Sequence, residues 1–196
     1  MEQSSYRWVI VALGGTIGCV AIGCMFALPV FLIPMATDTG WSRTGISTAM
    51  TIGFLAMALG SIMWGSLADK FGPRPVVFAG STLMALSLAI CGESPSLLVF
   101  QIVFGLGLGL GTAAIFTPMM AAVTGWFETQ RSLAVSLVSA GMGIAPMTMS
   151  PIAEQLVANY GWRQAYLVLA LIAAAIMIPL SLLLRRPPAL VAAASA

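Results

Sequence analysis

Apolar residues in this chain do not alternate with polar ones; they run together. Long stretches of Leu, Ile, Val, Ala, Met, Phe and Gly occupy residues 8–36, 44–68, 75–92, 96–123, 131–154 and 162–184, and short polar turns separate them. Each helical residue advances about 1.5 Å, so about 20 of them cross a hydrocarbon core roughly 30 Å thick. All six runs approach or exceed that length. The period-two pattern of a membrane barrel is missing, and open strands in lipid would leave backbone groups without hydrogen bonds. The pattern predicts an all-α membrane protein with six transmembrane helices, forming one bundle over residues 1–186, followed by a short cytoplasmic tail at 187–196.

Composition agrees. The chain is 60% hydrophobic and 7% charged, with a mean hydropathy of +1.02, whereas soluble domains carry about a quarter of their residues as charges. The first run follows Arg7 in the manner of a secretory signal, but it continues from Trp8 past Pro29, beyond the roughly 7 to 15 apolar residues of a signal core. It reads as an uncleaved span. Cys19, Cys24 and Cys91 fall inside runs without metal-ligand spacing, and there is no histidine, so neither a metal nor another cofactor is expected. Without histidine or paired acids the chain also lacks the groups for acid–base catalysis, and no enzyme is expected.

Charge sets an orientation. With the N-terminus in the cytoplasm, Arg7, Lys70, Arg74, Arg131, Arg185 and Arg186 fall inside, while Arg43 and Arg163 fall outside. This is the positive-inside bias, and it predicts both termini cytoplasmic in a plasma (inner) membrane protein. Trp8, Trp41, Trp64, Trp126 and Trp162 all lie within a few residues of a proposed boundary, where amphipathic rings collect. The net charge of +2 thus reflects membrane topology, and no nucleic-acid partner is expected.

The turn between the second and third runs reads Gly65-Ser66-Leu67-Ala68-Asp69-Lys70-Phe71-Gly72-Pro73-Arg74-Pro75. Gly65 would allow close helix approach, Gly72 a positive φ at a helix end, and Pro75 the first turn of the next helix. Pro75 also biases Arg74 away from helix. Asp69 does nothing for topology and calls for a partner, such as a helix N-terminus or an arginine.

This turn resembles the signature loop of the major facilitator superfamily, G-x-L-A-D-[RK]-x-G-[RK]-[RK]; Gly65, Leu67, Ala68, Asp69, Lys70, Gly72 and Arg74 are in register, and Pro73 replaces one basic position. The resemblance implies a gating role in which Asp69 caps a helix of an opposite half. Gly40-Trp41-Ser42-Arg43, Trp126-Phe127 with Arg131 and Ala134, and Gly161-Trp162-Arg163 with Ala165-Tyr166 resemble the monocarboxylate and oxalate–formate branch of that family. The family often carries an arginine four residues before a glycine in its fourth helix; here Gln101 precedes Gly105. The implied fold is one half of a twelve-helix transporter, built as a three-plus-three inverted repeat. The repeat of Thr39-Gly40-Trp41 as Thr124-Gly125-Trp126 is compatible with it.

Within the runs, Gly105-Leu106-Gly107-Leu108-Gly109-Leu110-Gly111 is no phosphate loop, for no strand precedes it. On a helix, Gly105 with Gly109 marks one face and Gly107 with Gly111 a nearly opposite one, which predicts close packing on two sides. Pro29 and Pro34, Pro118, and Pro146 with Pro151 should kink the first, fourth and fifth spans. No charge lies near mid-span; Glu154, toward one end of the fifth, comes nearest. A solute site in this half must therefore use uncharged groups, with Gln101, Thr112, Thr117 and Ser139 as polar candidates and Phe26 and Met142 as apolar walls.

Two functions stay open. One is a transporter half that moves a small organic solute, a monocarboxylate or other organic anion, by alternating access. It would need a second six-helix half from the same or a separate chain. The other is a non-transporting module, truncated or a partner, that only packs against other helices in the lipid bilayer.

Overall fold

The computed structural model describes residues 2–127 and 129–185, with side chains from Tyr6 onward. The expected tail at 187–196 lies outside the described residues. The first apolar run forms two helices, α1 (Glu2–Phe26) and α2 (Leu28–Thr39). Pro29 causes the division: its ring excludes the carbonyl one turn back and it has no N–H to give. Only the bond from Val30 N–H to the Ala27 carbonyl, at 3.0 Å, bridges the gap. Helix α3 (Arg43–Phe71) starts where Ser42 Oγ accepts the Gly45 N–H at 3.1 Å, an N-cap, and α4 (Pro73–Gly92) follows after one residue. The fourth run is a rod of three pieces, α5 (Leu97–Ile102), a π-helical segment (Val103–Leu108) and α6 (Gly109–Trp126). Then come α7 (Arg131–Gly143) and α8 (Ala145–Leu182), parted at Ile144 just before Pro146.

Five helical stretches among the described residues are long and apolar enough to cross a bilayer, the fifth being Arg131–Leu182 with 52 residues. If straight, that stretch would measure about 78 Å, more than twice the hydrocarbon thickness. It is broken at Gly161, whose φ of 76° and ψ of 164° lie outside helix. The turn expected between 154 and 162 is confined to that bend. Residues 155–160 are helical, and one glycine makes the bend because it alone adopts that φ without a Cβ clash.

Packing follows from small residues. Helix α6 lies between α3 and α4, and α1 lies against α6, α7 and α8. On α3 the buried stripe is Ile46, Ala49, Gly53, Ala56 and Gly60, spaced three or four apart, while Leu55, Leu59 and Ile62 on the other side are exposed. Lipid tails are as apolar as leucine, so helices in a bilayer gain from close approach more than from burial. The expected two-faced glycine run is borne out. A Cβ at Gly109 would stand 2.4 Å from the Gly53 carbonyl, and one at Gly107 would stand 2.0 Å from Ser87 Oγ on α4. Behind this seam an aromatic core closes, with Phe31 stacked on Tyr166 at 4.1 Å and Phe100 on Phe104 at 5.5 Å.

Two helix details differ from expectation. The irregularity of the fourth run is the π segment, not Pro118, which sits inside continuous α6. The second run's helix also ends later than expected, at Phe71, which sets Trp64 deeper within it. That residue lies two turns inside α3, part-buried with Leu67 against Ala68, Val76 and Ala114.

The charges sort to two groups of helix ends. At one end Asp38, Arg43 and Arg163 accompany Gly92 and Trp162. At the other, Arg7, Arg131 and Arg185 gather on Tyr6 and Phe127, and the α3–α4 turn carries Lys70 and Arg74.

Candidate functional site

The turn between α3 and α4 is tight because Gly72 takes φ 88° and ψ 166° and returns its N–H to the Ala68 carbonyl at 2.8 Å. This region of backbone space is almost confined to glycine. Leu67 is half-buried, while Asp69, Lys70 and Arg74 are exposed, and the Lys70 ammonium lies 5.4 Å from the Phe71 ring centroid. Asp69 has no hydrogen-bond or ion-pair partner among the described residues. Arg74 is helical, contrary to the bias of Pro75, since Pro73 and Pro75 both fall in the first turn of α4, where a fixed φ suits the helix and no N–H is needed. Gly65 has room to spare: a Cβ there would meet Thr117 at an ordinary 3.5 Å. The close approach that glycine permits lies five residues earlier, at Gly60, where a Cβ would stand 2.8 Å from Leu110.

The six expected wall residues do not gather in one place. Phe26, half-buried, meets Phe54 of α3 edge-on at 6.0 Å. Gln101 Nε2 donates to the Gly45 carbonyl at 2.7 Å and ties α5 to α3. Thr112 is buried, with its hydroxyl lacking a partner. Thr117 packs beside Gly65. Ser139 is exposed on α7. Met142 lies over Gly18 of α1, where a Cβ would stand 2.3 Å from its methyl carbon.

A cleft of about 500 Å³ opens instead between α1 and α7, lined by Trp8, Gly15, Thr16, Cys19, Leu137 and Gly141 among others. None of the six expected residues borders it. Its floor is the near-contact of two backbones, for a Cβ at Gly141 would be 3.0 Å from Gly15 Cα. Its polar groups are the exposed Thr16 and Cys19, whose thiol meets Thr148 Oγ1 at 3.6 Å. The spacing of Trp8, Ala12, Thr16 and Cys19 along one helical face was the available signal.

The sequence profile described as Major Facilitator Superfamily matches residues 13–196. The chain belongs to the major facilitator superfamily. It is 30% identical over 168 residues to monocarboxylate transporter 13 of Rattus norvegicus, covering 86% of this chain and 39% of that protein. It is 24% identical over 184 residues to the oxalate:formate antiporter of Oxalobacter formigenes, covering 92% and 43%. Its fold superposes on the inward-open xylose transporter XylE of E. coli with a TM-score of 0.74 at 14% identity, covering 95% of this chain and 50% of that one. The chain spans about two fifths of the length of the two sequence relatives. Members of this superfamily are transporters, not enzymes, and with its apolar helices this one is an integral membrane protein.

In this superfamily member the motif stretches that carried the resemblance are devices at helix ends. Trp41 and Trp162 lie 6.2 Å apart between ring centroids. The Trp162 indole donates to Asp38 Oδ2 at 2.9 Å, and Arg163 donates to the Gly92 carbonyl at 3.1 Å while its guanidinium sits 4.3 Å above the Trp162 ring. Three span ends are joined there. Arg131 Nε donates to the Phe127 carbonyl at 2.7 Å and fixes the opposite end. Asp38 was overlooked because it stands outside every motif, although an acid at the close of an apolar run was a visible cue.

Proposed function

We propose that this chain is the six-span half of a secondary transporter that moves a small organic anion of the monocarboxylate class by alternating access. The observation that carries this reading is the similarity to proteins named as monocarboxylate transporters and an oxalate:formate antiporter. Six spans follow if Gly161 marks the reversal of the chain, with the two sets of three related as an inverted repeat. The second bundle comes from another segment or another chain, and the solute passes between the two.

The reading places the α1–α7 cleft on the solute path, with Thr16 and Cys19 as its polar groups. Ser139, Thr117 and Phe26 stay on that path as surfaces completed by the second bundle, while Gln101, Thr112 and Met142 hold the helices that form it. The signature turn, with Gly65, Leu67, Asp69, Lys70, Gly72 and Arg74, serves as the gate, and the exposed, unpartnered Asp69 supports this because it is free to cap a helix of the second bundle. Both termini face the cytoplasm in a plasma (inner) membrane, as the segregation of arginines supports.

Uptake of labelled formate and oxalate into proteoliposomes tests the proposal, with the chain alone and together with a second six-helix half. Saturable uptake is expected from the completed assembly. Absence of flux in both preparations, with helical content retained, would leave the chain as a packing module. Labelling of Lys70 from the outer face of intact cells would reverse the assigned orientation.

A further inference from the structure

Arg7, Arg131 and Arg185 converge on one aromatic platform although they come from three different helix ends. The Arg7 guanidinium lies 5.4 Å from the Phe127 ring centroid, and Arg131 Nε holds the carbonyl of that same residue. Arg185 stacks 4.5 Å above Tyr6, whose ring is 5.7 Å from that of Trp126. The Trp126 indole donates to the Arg185 carbonyl at 3.4 Å, and the Tyr6 hydroxyl donates to the Leu183 carbonyl. None of the three guanidinium groups makes an ion pair among the described residues, and Arg7 Nε is buried without an acceptor.

Such a group is costly to leave dry. A buried charged donor with no acceptor loses its hydration and receives nothing in return. Positive-inside topology calls for arginines at this end, but it does not call for drawing three of them onto one aromatic patch. Among the described residues no side chain caps the first turn of α7, where Gln130 stands at the N-cap position, so its first backbone N–H groups are open on the side of Arg131. Beside it, two residues from Arg7 on α1, the apolar Val9 is exposed, as a lipid-facing side chain of an integral membrane protein would be.

We infer that this corner, built by Arg7, Arg131, Arg185 and the start of α7, binds the phosphate group of an anionic membrane lipid. Arginine matches phosphate oxygens with paired N–H donors, and the exposed Val9 takes the acyl side. Inorganic phosphate shares that chemistry but lacks the chains.

Native mass spectrometry of the detergent-purified chain tests the assignment, with phosphatidylglycerol and phosphatidylcholine as probes. The wild-type chain is expected to retain phosphatidylglycerol preferentially. Each arginine near anionic lipid contributes about five-fold to binding, so R7Q/R131Q should lower that preference about 25-fold. R43Q/R163Q, at the opposite end, should leave it unchanged, and R7K/R131K should retain most of it, which separates lost charge from misfolding. An unaltered preference in R7Q/R131Q, or an equal loss in R43Q/R163Q, overturns the assignment. Displacement of phosphatidylglycerol by millimolar inorganic phosphate would give the corner to a soluble anion and overturn the lipid assignment as well.

Discussion

The indole of Trp162 and the carboxylate of Asp38, 124 residues apart in sequence, are joined by a hydrogen bond of 2.9 Å. It links the end of α2 to the residue just after the Gly161 bend, and Trp162 is only 4% exposed. Replacing Asp38 with Ala leaves a buried N–H without an acceptor, at a cost of about 1 to 3 kcal/mol. Asp38→Asn keeps an acceptor and should lose less than half as much. Reversible unfolding in detergent, followed by tryptophan fluorescence, measures both; equal stability of Asp38→Ala and wild type would show that the bond contributes nothing.

Gly109 offers a sharper packing test. A methyl group there meets the Gly53 carbonyl at 2.4 Å and Ala56 Cβ at 2.9 Å, and neither can rotate away. Gly109→Ala should destabilise the fold by about 1 to 3 kcal/mol. Gly143→Ala, with nothing within 4 Å of its Cβ, should be neutral or slightly stabilising, since alanine favours helix. If the two variants unfold alike, the α3–α6 seam is looser than described.

At Gly72 the penalty arises in the backbone itself. With φ 88° and ψ 166°, Gly72→Ala should cost about 1 to 3 kcal/mol whatever surrounds it. The loss should appear first as faster proteolysis of the α3–α4 turn. A turn as protease-resistant as wild type would contradict the assigned conformation.

Asp69→Asn separates folding from transport. The residue is exposed and has no partner among the described residues, so its loss should change stability by no more than about 0.5 kcal/mol. In a completed transporter the same change should slow uptake of labelled formate at least several-fold, through lost capping of the second bundle. Unchanged uptake would reduce the turn to a connector.

What the sequence revealed depended on the range of the forces involved. The spans were legible because hydropathy is a local sum, and the breaks at Ala27 and Ile144 were legible because Pro29 and Pro146 act on their own helix. The π segment was not, since it lies where α3 and α4 press on the glycine run from both sides. The extent of the turn near Gly161 was not legible, since Gln155 and Asn159 are polar yet sit in helix and the break falls on the glycine alone. The polar candidates among the wall residues were chosen by side-chain type, which says nothing of direction: Gln101 bonds to the α3 backbone, and Thr112 is enclosed. The cleft around Thr16 and Cys19 depends on which face of α1 meets α7, a tertiary fact.

Where Gly53 of α3 meets Gly109 of α6, backbone lies on backbone with no side chain between. Dispersion at such a joint fades quickly, and a gap of about 0.5 to 1 Å forfeits a quarter to a half of it. The joint therefore loses a large share of its attraction as soon as the two backbones part. Ile52 over Gly105 and Leu110 over Gly60 flank it, side-chain teeth that set the height of one rod along the other, so the bare joint governs how closely the rods approach and its flanks govern their register.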